Sequence, residues 1–127
     1  MSEARGIDVA VDRGIAILRI TTTPGPEAPR FSDDARASLQ ALRAKGLRGL
    51  LVDLSGAGAA DGSGHARLAS AIAPILTEWE TRGLPVAVVA PDKRGALEAT
   101  RVVAGAAPRW ARVVGSLADA ERYLSGR

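Results

Sequence analysis

Hydrophobic positions in this chain follow one pattern near its start and another further along. Residues 7–11 and 15–20 alternate between apolar and smaller or polar side chains on either side of Asp12–Gly14, which predicts a β-hairpin with a tight turn. Residues 47–54 and 84–90 are almost continuously apolar, as in strands that are covered on both faces of a sheet. We therefore expect the two apolar runs to form neighbouring central strands.

Helical spacing appears first between the hairpin and residue 47. The segment 21–30 contains three prolines and is expected to be a loop, after which Ser32 is a good N-cap for a helix that ends at Gly46. The apolar stripe predicted for this helix consists of Ala35, Leu39 and Leu42.

The second helix is expected to be the longest. It runs from about Gly64 to Arg82, and Gly83 follows it as a helix-closing glycine. Because proline lacks the backbone N–H that a helix interior needs, Pro74 is expected to kink this helix or to split it.

The last part of the chain predicts two further helices around a short strand. A weaker helix over 95–104 would bury Leu97, Thr100 and Ala104, and residues 111–114 form the strand. Ser116 is expected to cap the final helix. The buried stripe predicted for that helix consists of Leu117, Ala120 and Leu124.

The order of these elements is β-β-α-β-α-β-α-β-α, which indicates an α/β protein. Alternation of strand and helix from residue 47 onward favours parallel pairing through right-handed crossovers. The hairpin adds an antiparallel pair. We therefore predict a mixed sheet of four or five strands with four helices packed against it, in a single domain that spans residues 1–127.

Composition narrows the range of functions. Aromatic residues make up only 3% of the chain, so the core is expected to be aliphatic and base stacking is disfavoured. The net charge of +3 is scattered, which argues against direct nucleic-acid binding. With no cysteine and one histidine, neither a metal site nor a cofactor is expected. No apolar run is long enough to cross a membrane and no signal peptide is evident, so a cytoplasmic location is expected.

A glycine-rich segment links the first apolar run to the longest helix. Asp53 lies near the end of the strand, where its side chain can reach this loop, and Ser63 lies where the helix begins. Open α/β sheets place their binding sites at such junctions. Ser63 is therefore either a simple N-cap or a functional residue. It is not expected to form a nucleophile–base pair with His65, because residues two apart on a helix do not face each other.

Four sequence motifs give the chain a family resemblance. They are LLVDLSG at 50–56, DGSG at 61–64, LPVAVV at 84–89 and SLADA at 116–120. In this order and spacing they resemble a STAS domain, the fold of bacterial anti-sigma factor antagonists. The resemblance covers roughly residues 6 to 124.

The resemblance implies a regulatory protein-binding module, without catalytic activity, that is switched by phosphorylation. In the family, the second serine of a D-S-S-G motif accepts phosphate from a partner serine kinase, often an anti-sigma factor. Ser63 matches that serine, Asp61 the acid and Gly64 the glycine, whereas Gly62 replaces the first serine and His65 replaces an aliphatic residue. These five residues are the expected partner-binding surface, and a homodimer is left open.

Two other functions remain as alternatives. One is a STAS-like domain that is not phosphorylated and serves as an assembly scaffold or binds a small apolar ligand. The other is a small enzyme that uses the glycine-rich loop, although Asp61 stands where a dinucleotide fingerprint has its third glycine.

Overall fold

The computed structural model of this chain describes residues 7–20, 28–40, 46–54, 62–90 and 93–125. Their elements, in chain order, are β1 (Ile7–Asp12), β2 (Ile15–Ile20), α1 (Ala28–Gln40), β3 (Gly49–Asp53), α2 (Gly62–Thr81), β4 (Val86–Val89), α3 (Lys93–Ala106), β5 (Ala111–Val114) and α4 (Leu117–Ser125). None of the helices in these ranges is both long and apolar enough to cross a membrane.

The five strands form one mixed sheet whose order is the order of the chain, β1-β2-β3-β4-β5. β1 pairs antiparallel with β2, and each of the three following pairs is parallel. The predicted α/β fold with a mixed sheet and four helices is confirmed. β3 and β4 are central neighbours, as their apolar runs predicted.

The hairpin turn between β1 and β2 is tied to the start of β3. Arg13 and Gly14 both have positive φ angles, 54° and 82°, as the tight type I′ hairpin turn requires. The backbone N–H of Arg48 donates to the Gly14 carbonyl at 2.8 Å, and Arg48 Nε donates to the Arg13 carbonyl at 3.1 Å. Arg48 therefore fixes the turn against the third strand.

The two faces of the sheet are covered unequally. Helices α1, α2 and α3 cover the first face, where side chains such as Leu18, Leu50 and Val88 are fully buried. Helix α4 covers the second face through Ala120 and Leu124, which pack on Leu51, Ala87 and Val89. Since both faces of β3 and β4 are covered, their side chains are all buried, which explains their continuous apolar sequence.

Helix α1 begins earlier than its sequence predicted. It starts at Ala28, so the expected loop is wrong over residues 28–30, and Ser32 lies inside the helix rather than at its N-cap. Pro29 is compatible with this start because the first turn of a helix has no partners for its N–H groups. Ala35 and Leu39 are buried as expected, whereas Leu42 lies outside the described residues. Gly46 has a positive φ angle of 68°, whereas the segment 41–45, where the helix was expected to continue, lies outside the described residues.

Helix α2 is continuous across Pro74, so of the two expected outcomes the division into two helices is wrong, and the kink stays a prediction. Pro74 denies a hydrogen bond to the carbonyl of Ser70, but both residues are exposed and water can bind that carbonyl. The end of the helix is as predicted. The N–H of Gly83 donates to the Glu80 carbonyl and that of Leu84 to the Trp79 carbonyl, which is a Schellman motif.

Two predicted helix stripes require correction. In α3, Leu97 is 55% exposed, and Thr100 and Ala104 are exposed too, whereas Ala99 and Val103 are buried. Ala99 and Val103 belong to the core on the face of α3 that packs against α2. In α4, Leu117 is 43% exposed because it occupies the first position of the helix, before the part that lies on the sheet.

The cap predicted for α4 is confirmed. The backbone N–H of Asp119 donates to Ser116 Oγ at 3.2 Å, which satisfies one of the N–H groups at the helix start. Ala120 and Leu124 are buried as their spacing predicted.

The two-sided burial of β3 can be tested with a pair of leucine substitutions. Leu51→Ala should lower the free energy of unfolding by about 2–4 kcal/mol, because it leaves a cavity between the sheet and α4. Leu97→Ala, the same change at an exposed site, should alter it by no more than about 0.5 kcal/mol. Urea denaturation measures both values. Equal effects at the two sites would show that Leu51 is not in the core.

Candidate functional site

The junction between β3 and α2 lies at the carboxyl edge of the parallel strands. β3 ends at Asp53, and α2 begins at Gly62, about two residues earlier than its sequence predicted. Ser63 is the second residue of the helix, and Gly64 and His65 follow in the same turn. Asp61 lies outside the described residues. Four of the five predicted site residues, Gly62, Ser63, Gly64 and His65, thus lie in one helical turn. The side chains of residues 62–69 are outside the described part of the structure.

The backbone at this helix start favours negative charge. The first four N–H groups of a helix have no partner within it, and the helix dipole adds about half a positive charge at the same end. Since α2 is 20 residues long, its amino end has the full dipole effect. Because the helix begins at Gly62, Ser63 lies in its first turn, where backbone N–H groups are without helical partners.

A buried carboxylate marks the end of β3 on the second face of the sheet. Asp53 is only 2% exposed, and Arg19 Nε lies 3.4 Å from its Oδ2 atom. Arg19 also approaches Asp8, with 3.7 Å between Nη1 and Oδ2. The strand register places these three residues side by side across β1, β2 and β3. Asp53 therefore contacts Arg19 on the sheet face, a contact that the sequence-based expectation of a loop-facing side chain missed.

The signal for this contact is weak in the sequence. An acid in an otherwise apolar strand indicates a buried polar partner, because an unpaired buried charge is costly. Its partner lies 34 residues away in the chain and becomes identifiable only once the register of β2 on β3 is known.

In the part of the chain that the structure describes, acidic and histidine side chains do not cluster as metal ligands would. Within the described ranges, no group of three or more histidine, cysteine, aspartate or glutamate residues is placed to hold a metal ion.

Comparison with solved structures identifies the fold as STAS-like, as the sequence motifs implied. RsbS of Moorella thermoacetica, solved as a variant with a serine replaced by glutamate, is similar to this chain with a TM-score of 0.69 and 17% identity over 97% of each chain. The NMR structure of the protein TM1081 has a TM-score of 0.63 and 16% identity, over 100% of this chain and 94% of that one. No protein-family model and no curated protein sequence matches the chain. At these identities, the shared feature is the fold.

The contact between Arg19 and Asp53 can be tested by removing the cation. Arg19→Met should lower the free energy of unfolding by about 1–2 kcal/mol, because a buried carboxylate loses a charged hydrogen-bond donor while the aliphatic stem is kept. Arg101→Met is the matched control, since Arg101 pairs with Glu98 on an exposed helix surface, and it should cost no more than about 0.5 kcal/mol. Chemical denaturation compares the two. An Arg19 variant as stable as the control would contradict a structural role for the pair.

Proposed function

We propose that this chain is a regulatory protein-binding module that acts as an anti-sigma factor antagonist does. Its partner is an anti-sigma factor or a related serine kinase, and its binding surface is formed by residues 61–65. The observation that carries this proposal is the place of Ser63 in the first turn of α2, at the carboxyl edge of a STAS-like sheet. The likeness to RsbS over nearly the whole chain supports it.

Phosphorylation of Ser63 is the proposed switch. A phosphate adds about −1.5 to −2 charge at neutral pH. The amino end of α2 favours such a charge, so the domain stays folded when it is modified. The added phosphate acts on the partner complex. The partner loses its contact with residues 61–65 because of charge repulsion and the cost of burying a phosphate. The partner is thereby released without unfolding of the module.

In this function the chain catalyses no reaction of its own. Its proposed location is the bacterial cytoplasm. Phosphate is transferred by the partner kinase, and Ser63 is only the acceptor. His65 follows Ser63 by two positions in α2, and because residues two apart on a helix do not face each other, the proposal includes no nucleophile–base pair. A homodimer would be compatible with this function and is tested by the molar mass in solution.

An unphosphorylated STAS-like scaffold is the second candidate. Gly62 stands where the family motif has its first serine, and His65 stands where an aliphatic residue is usual. These two departures fall on the motif itself and leave the fold unaffected. The scaffold function predicts a partner that binds equally well whatever residue occupies position 63.

Substitutions at Ser63 distinguish the two candidates. A pull-down with mass spectrometry first identifies the partner and any phosphorylated residue. Ser63→Ala should keep the fold, abolish phosphate transfer and preserve the complex. Ser63→Asp should also fold, because an acid suits the helix start, yet bind the partner at least about tenfold more weakly, or about 1.4 kcal/mol.

Ser70 supplies the control for this experiment, because it is an exposed serine further along the same helix. Ser70→Ala should remain a kinase substrate. Phosphate transfer that persists in Ser63→Ala, or partner binding that is unchanged in Ser63→Asp, would contradict the switch and favour the scaffold.

A further inference from the structure

A small pocket lies at the amino edge of the sheet, between the hairpin and the end of α4. Its apolar wall is formed by Ile15, Ile17 and Leu51 on the second face of the sheet, together with Leu124 of α4. Its volume is about 230 Å³. Since β2 and β3 begin at this edge whereas α2 begins at the other, the pocket and Ser63 lie at opposite edges of the sheet.

Charged residues of both signs surround the pocket. Asp12 and Arg13 come from the hairpin, Arg48 from the segment before β3, and Glu121 from α4. No ion pair between described residues includes any of these four side chains. Two acidic and two basic residues thus line one pocket, and their formal charges sum to zero.

Arg13 has a backbone conformation that favours other residue types, which indicates that the arginine side chain itself has a role at this position. Its φ angle of 54° lies in the left-handed region, where asparagine or glycine is favoured and arginine is strained. The turn is held in place by Arg48, whose Nε donates to the Arg13 carbonyl and whose stem covers Gly14 so closely that a Cβ there would lie 3.3 Å from Arg48 Cγ. The hairpin therefore holds Arg13 on a fixed turn, and Arg13 and Arg48 both line the pocket.

The size of the pocket limits the ligand. Sites for drug-sized molecules have volumes of about 300–1,000 Å³, whereas a cavity of about 150 Å³ holds benzene. The pocket lies between these volumes. It therefore fits a molecule somewhat larger than benzene, with one apolar end and one charged end.

We propose that this pocket binds a small zwitterion with an apolar side chain, namely an aliphatic α-amino acid of about the size of leucine. Arg13 and Arg48 hold its carboxylate, because guanidinium groups are matched to planar carboxylates. Asp12 and Glu121 accept hydrogen bonds from its ammonium group. The aliphatic side chain packs on Ile17 and Leu51. This site is independent of the function proposed for Ser63.

The ligand class is tested with three probes in an NMR titration of the methyl groups. L-leucine at millimolar concentration should shift the methyl signals of Ile15, Ile17, Leu51 and Leu124. Isocaproate keeps the carboxylate and the aliphatic tail but lacks the ammonium group, and isoamylamine lacks the carboxylate. Each should bind at least about tenfold more weakly than leucine, since each leaves one pair of charged side chains without a partner.

Arg13→Asn gives a sharp test, because its expected effects on folding and on binding have opposite signs. Asparagine suits the positive φ angle, so the melting temperature should stay the same or rise, while leucine binding should weaken by about tenfold. Arg101→Asn removes an exposed arginine from α3, away from the pocket, and should leave binding unchanged.

Three results would overturn the proposal. The first is the absence of methyl shifts with millimolar leucine, or shifts confined to other methyl groups. The second is binding of isocaproate or isoamylamine as tightly as leucine, which would indicate a site for a single charge. The third is unchanged leucine affinity in Arg13→Asn.

Discussion

The structure depends on one constraint, which is that β3 and β4 must be shielded from water on both faces. The chain has few aromatic residues, so the barrier to water is built from aliphatic side chains supplied by helices on both sides. Among the described elements, three helices cover the first face and α4 covers the second. Because α4 lies over β3, β4 and β5, the second face of β1 and β2 is less covered. Charged side chains such as Asp8 and Arg19 therefore occur there.

The same arrangement separates the two sites of interest. At the carboxyl edge, the chain passes from β3 to the amino end of α2, where Ser63 lies. At the amino edge, the hairpin turn and the last turn of α4 border the pocket. Leu51 in β3 forms part of the pocket wall, and Asp53 ends the same strand near the junction. One buried strand thus connects the two edges, and close packing around it gives the two sites a fixed separation.

Sequence patterns predicted the strands better than the helices. The strands can be predicted because the sequence pattern of a strand follows from the number of its faces that are buried. Alternating apolar and polar residues indicate one buried face, and a continuous apolar run indicates two. The pattern does not predict the start of α1, because the three prolines of residues 21–30 favour a loop, although proline is accepted in a first helical turn. Hydrophobicity alone favours burial of Leu97 over Ala99, whereas Ala99 and Val103 are the residues of α3 that lie in the core. The contact between Arg19 and Asp53 depends on the register of β2 on β3, which local sequence patterns do not contain. The pocket lined by Arg13 likewise depends on how α4 packs against the sheet.

The order of the strands also has a consequence for how the chain folds. Each strand pairs with the strand that follows it in the chain, so no pairing has to wait for a distant segment. The hairpin of β1 and β2 closes over a two-residue turn, and every later strand is added after a single intervening helix. Since the entropy lost on closing a loop grows with its length, this order keeps the cost of each step low. The topology therefore favours faster folding than a parallel sheet with rearranged strand order would allow, because its contacts are closer along the chain.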